Sequence, residues 1–98
     1  MILTTTNTIE GHAIKDYLSV VSGVAMSKKA TSMGFSMSKY YTALEQNIEH
    51  IKEEAFQKLS VNANKLKANA VVGIKVDIEL TTGNYIMVSI TGTPVKVA

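Results

Sequence analysis

The apolar residues Tyr41, Leu44, Ile48, Ile51, Ala55, Leu59, Ala63 and Leu66 recur at steps of three and four. That spacing makes a single apolar stripe about seven turns long, the mark of an amphipathic helix. It predicts one long helix from roughly Ser38 to Ala68, capped at its start by the hydroxyl of Ser36 or Ser38. Glu54 stands four residues before Lys58, an ion-pair spacing, and Lys58, Lys65 and Lys67 lie in the half where the helix dipole favours cations. The run Ser60-Val61-Asn62-Ala63-Asn64 is a poor helix former and is expected to loosen the helix there. Asn69 is the expected left-handed residue at its end.

The flanking segments read as strands. Ile2 to Thr5 is a short edge strand. From Tyr17 to Met26 the pattern alternates, placing Leu18, Val20, Val24 and Met26 on one face, with Gly23 as a bulge or close approach. Ser27 to Met37 carries Lys28, Lys29, Gly34 and serines, with Met33 and Phe35 as its large apolar residues, and reads as a loop. After the helix, Val72, Ile74, Val76, Ile78 and Leu80 alternate with Lys75, Asp77, Glu79 and Thr81, predicting one buried and one wet face. Thr82-Gly83-Asn84 signals a hairpin, and Ile86, Val88 and Ile90 continue the buried face. Pro94 fits only a strand end or an edge. The sum is a single α+β domain over residues 1–98, β-β-α-β-β, with a mainly antiparallel sheet and the helix across one face. Such a pair of layers leaves a second face or edge uncovered, and self-association is the natural way to cover it.

Composition removes several classes of function. There is no cysteine, hence no disulfide, thiolate nucleophile or thiolate metal site. No apolar stretch approaches the roughly 20 residues of a membrane span, and the start of the chain lacks a signal-peptide pattern. A cytoplasmic, reducing setting is expected. All ten basic residues are lysines, scattered among eight acids. Without arginine's bidentate fork, nucleic acid is a disfavoured partner.

Three blocks carry a resemblance. Thr6-Asn7-Thr8-Ile9-Glu10-Gly11-His12-Ala13-Ile14, followed by Tyr17 and Val20-Val21-Ser22-Gly23-Val24-Ala25, resembles the N-terminal signature of the YbjQ-like heavy-metal-binding family. Ala70-Val71-Val72-Gly73-Ile74 and the terminal run from Met87 to Val97 resemble its later signatures. Together they bracket the helix and span nearly the whole chain. The resemblance implies a dodecin-like subunit assembled as a ring-shaped homopentamer, and it supplies a metal-binding label without a ligand set. Family members commonly place glycine where this chain has Lys67, and many carry a longer segment, with arginine and glycine, in place of Ala30 to Ser38.

Candidate chemistry is sparse. A soft metal wants sulfur, and Met26, Met33 and Met37 offer only thioethers, which more often fill gaps in a core or interface. His50 precedes Glu53 and Glu54 by three and four residues, so an imidazole and a carboxylate share a helix face and offer two ligands for a divalent ion. A solvated polar face is the simpler reading of the same spacing. His12, after Glu10-Gly11, is a further candidate ligand or a turn and interface residue. His12, His50, Glu53 and Glu54 are thus the candidate metal set, with no cofactor otherwise expected. Asp77 and Glu79 beside Lys75 read as a charged outer face rather than paired catalytic carboxylates. No nucleophile elbow, phosphate loop, dinucleotide fingerprint or His-Glu-x-x-His motif appears, so a non-enzymatic protein is expected.

Overall fold

The elements follow the order β1 (Ile2–Leu3), β2 (Ile14–Tyr17), β3 (Val21–Lys28), α1 (Met37–Lys65), β4 (Ala70–Leu80) and β5 (Tyr85–Val97). They are seen in a computed structural model that describes residues 1–28, 37–80 and 85–98, with side chains excluded at 27, 28 and 37–44. The architecture is α+β as expected, one long helix against one sheet. β5 is the central strand. β4 pairs with it antiparallel on one side, and β3 and β2 pair with it antiparallel, one after the other, on the opposite side. β1 pairs parallel with β4 at Ala70 and Val71, so the sheet is mixed. Among the described residues there are five strands where four were expected, because Ile14–Tyr17 forms its own strand against Val95–Val97.

The helix holds through Ser60–Asn64, against propensity, because packing outweighs a few tenths of a kcal/mol per residue there. Ala63 is fully buried beside Ile51, Ala55 and Leu59. The helix ends earlier than expected. Lys67, not Asn69, takes the left-handed conformation (φ 63°). Lys67 N–H donates to Asn64 O (2.9 Å) and Ala68 N–H to Ala63 O (3.2 Å), the paired bonds of a Schellman cap. Leu66 therefore lies outside the stripe and is exposed. Asn69 instead acts as a mock strand residue, its amide donating to Val97 O (2.9 Å) and its carbonyl accepting from Val97 N–H (2.8 Å).

The expected inner face of the strand before the helix is reversed. Val21, Gly23 and Ala25 point at the helix, whereas Val20, Val24 and Met26 are exposed. The reason is distance rather than hydropathy. A Cβ on Gly23 would collide with the Ala55 carbonyl oxygen and lie 2.6 Å from Leu59 N. Only the smallest side chains fit where the helix backbone rides directly on the strand. Ser27, Lys28 and Met37, expected in the loop, belong to β3 and α1. Met33, Phe35 and Ser36 lie outside the described residues, as do Thr82, Gly83 and Asn84.

The continuous buried face expected of β4 also fails beyond Ile74. Ala70, Val71, Val72 and Ile74 are buried, but Val76, Ile78 and Leu80 are 39%, 46% and 60% exposed. Gly73 (φ 62°) opens a bulge that shifts the register between Val72 and Lys75. Its free N–H donates to Thr6 O (2.8 Å), and that of Ile74 to Thr4 O (3.1 Å), so the N-terminal segment is tied to the bulge. Past it, Val76, Ile78 and Leu80 pair with Ile90, Val88 and Ile86 and share their face, but α1 packs on β3 and β5 and leaves that half of β4 uncovered.

Two substitutions test this packing. Gly23→Ala should destabilise the fold by about 3 kcal/mol, the upper end for overpacking, since backbone rather than a side-chain tip must move; an unchanged urea midpoint would refute the close approach. Lys67→Gly should stabilise by up to about 1 kcal/mol by relieving the left-handed strain, read as a melting point raised by a few degrees.

Candidate functional site

His50, Glu53, Glu54 and Gln57 line a shallow recess of about 330 Å³ on the solvent side of α1. His50 and the two glutamates thus open on the same recess. A ligand set is not assembled, however. Glu54 lies 3.6 Å from Lys58 Nζ, a half-exposed pair of small energy that nonetheless sets an ammonium beside any incoming cation. Among the described residues no three His, Asp or Glu side chains gather in a metal-holding group.

His12 stands elsewhere. Its backbone N–H donates to Ile9 O (3.1 Å), closing the Glu10-Gly11 turn, with Gly11 in the left-handed region (φ 83°). Its Nδ1 donates to Ala98 O (2.8 Å), since that oxygen only accepts. His12 thus flanks the Val97 end of β5. His50 lies toward the Tyr85 end, because Asn62 meets Ser22 and Lys58 meets Val24, and His50 is two turns further along. The two imidazoles are separated by roughly the length of β5, on the order of 35 Å. The four candidate ligands therefore form no common site within one chain. Met26 is exposed at 53%, while Met33 lies outside the described residues and the Met37 side chain is likewise not described.

A larger recess, about 570 Å³, adjoins the first and shares Glu54 and Gln57 with it. It runs along the outer edge of β3 to Val61 and Asn62. Here Lys58 Nζ donates to Val24 O (3.0 Å) and Asn62 Nδ2 to Ser22 O (2.8 Å). Four helix residues rise about 6.0 Å and two strand residues about 6.7 Å, so donors at i and i+4 match successive outward carbonyls. The side chains occupy acceptors that an added strand would need. Sequence reasoning assigned Lys58 to an ion pair and the helix dipole, and Asn62 to a run expected to loosen the helix; their common flank of the helix was the available signal.

A third recess, about 560 Å³, is lined by Ile2, Thr4, Thr6, Thr8, Ile9 and Glu10. Two of its hydroxyls are engaged within the segment: Thr4 and Thr6 Oγ1 are 2.8 Å apart, and Thr6 Oγ1 donates to Thr8 O (2.6 Å).

Comparison with known proteins places the chain. A UPF0145 protein of Bacillus cereus is 33% identical over 103 residues, covering 99% of this chain and all of that protein. A UPF0145 protein of Corynebacterium jeikeium is 38% identical over 102 residues, covering 97% of each. A crystal structure of a protein of unknown function of the DUF74 family, from Pediococcus pentosaceus, superposes with a TM-score of 0.73 at 24% identity, covering 100% of this chain and 98% of that one, a likeness of fold. Residues 1–98 match the family described as "Putative heavy-metal-binding", the YbjQ-like family. The chain belongs to that family.

Proposed function

We propose that the protein is a non-catalytic subunit of a homo-oligomer, a ring of five, with a structural or ligand-binding role in the cytoplasm and neither nucleic acid nor membrane as partner. The observation that carries the reading is unspent surface. A folded monomer of 10.6 kDa exposes about 5,500 Å²; this chain exposes 6397 Å². Its Cα radius of gyration is 16.3 Å, against about 13 Å for a compact chain of this length, with extents of 54 × 23 × 16 Å. A thin, long two-layer subunit becomes economical in surface when copies cover one another. Five, and the dodecin-like character of the subunit, are what the sequence resemblance implies.

Metal binding is the second reading, supported by the family description and by the shared recess of His50, Glu53 and Glu54. Since one chain supplies too few ligands there, the site requires copies to bring His50, or His12, together.

Size-exclusion chromatography with light scattering should give about five times 10.6 kDa; a monomer at micromolar concentration would end the oligomer reading. Calorimetric titration of chelator-free protein with zinc, copper(II) and nickel tests the second. A shared site binds a fixed number of ions per subunit and loses them in His50→Ala or His12→Ala, whereas non-saturable uptake excludes it.

A further inference from the structure

We propose that Met26, Met87 and Glu79 hold one soft monovalent cation, of the copper(I) class, on the face of the sheet opposite α1. This rests on the metal-binding reading above and gives it a ligand set that one chain supplies. In register, Met26 of β3 stands opposite Met87 of β5, and Met87 stands opposite Glu79 of β4. The three form a single row across three adjacent strands. Residues directly opposite each other share a face, with Cβ atoms about 5 Å apart. Ala25 beside Met26, and Ile86 and Val88 beside Met87, are buried toward the helix, so the row points the other way. Met26 is 53% exposed and Met87 half-buried, both on the side that α1 leaves uncovered.

The chemistry of the row selects the ion. Thioether sulfur is a soft, uncharged donor that suits copper(I). Zinc takes thiolate, imidazole or carboxylate instead. In a core, methionine fills gaps, but α1 lays no apolar layer over this row. Its neighbours in the register are Val24, Ser89 and Asp77 on one side, and Lys28 and Tyr85 on the other. Two carboxylates against one lysine leave these rows net negative, the balance a monovalent cation needs between neutral sulfurs. Lys75, level with Thr91, stands two rows from Met87, about 13 Å away. Unlike the His50 recess, the pair needs no second copy, and its sulfurs carry no proton to displace.

The test is titration of chelator-free protein, its methionine methyls labelled with carbon-13, with silver(I), a redox-inert ion of the same class. The chain has five methionines, and Met26→Leu and Met87→Leu, swaps of similar volume, assign two of the methyl resonances. Those two should move together and stop at one silver per subunit, whereas zinc should leave both in place. Each leucine variant should lose the saturable phase while keeping the wild-type circular dichroism. Glu79→Gln should bind more weakly, with the same two methyls moving. His50→Ala and His12→Ala should bind silver as wild type does.

Saturable binding that survives either leucine variant would overturn the site, as would a drift of all five methyls without an endpoint. Silver binding lost in the histidine variants but kept in the leucine ones would overturn it and leave the metal-binding reading standing. Saturable zinc uptake with no silver uptake would do the same. No saturable binding of either ion ends both.

Discussion

The helix-covered part of the fold follows from how closely α1 lies on β3. At Gly23 strand backbone meets the backbone of Ala55 and Leu59 with no side chain between them. That contact fixes the helix over β3 and β5, where Ile86, Val88 and Ile90 complete the core. It also draws the helix away from β4, which is why an alternating apolar strand is only half covered. The same approach brings Lys58 and Asn62 within reach of the β3 carbonyls. The core, the uncovered half of β4 and the protected edge are three results of one steric condition.

The far end of the sheet is organised around a second condition, the bulge at Gly73. The segment Ala70–Ile74 carries the bulge, Thr4 and Thr6 satisfy its free amides, and Val95–Val97 close against Asn69 and β2. These stretches largely coincide with the blocks that carry the family resemblance. The signature therefore encodes a way of ending a sheet. Gly92 belongs to the same arrangement, since a Cβ there would lie 2.6 Å from Val71 Cγ1. Family membership is thus legible in architecture, whereas no cluster of three His, Asp or Glu side chains marks metal chemistry among the described residues.

What the sequence could reveal depended on whether a signal was local. The stripe from Ile48 to Ala63 is dictated by helical period and survives in the fold, as does the Ile86, Val88, Ile90 alternation. The inner face of β3 was not legible, because hydropathy ranks Val24 above Gly23 while the available space ranks them in reverse. Nor was the exposure of Val76, Ile78 and Leu80, which depends on which strands the helix crosses. The helix end at Lys67 carried a hint in the glycine common at that position. For the candidate ligands, the proximity of His50 to Glu53 and Glu54 was readable from spacing, but the separation of His12 from them depends on tertiary placement. Asn62 had no local pattern at all, its partner being 40 residues away.

The rungs formed by Asn62 and Lys58 work as a vernier. Helix and strand steps differ by about 0.7 Å per rung, so alignment drifts and a third rung would fall at position 54, opposite Met26. There the chain places a glutamate, whose ionised carboxylate accepts hydrogen bonds and cannot donate to a carbonyl. The zipper is thus ended by chemistry at about the point where geometry begins to fail. Glu54 turns back to Lys58 instead, and the limit of edge protection is set by the identity of a single side chain.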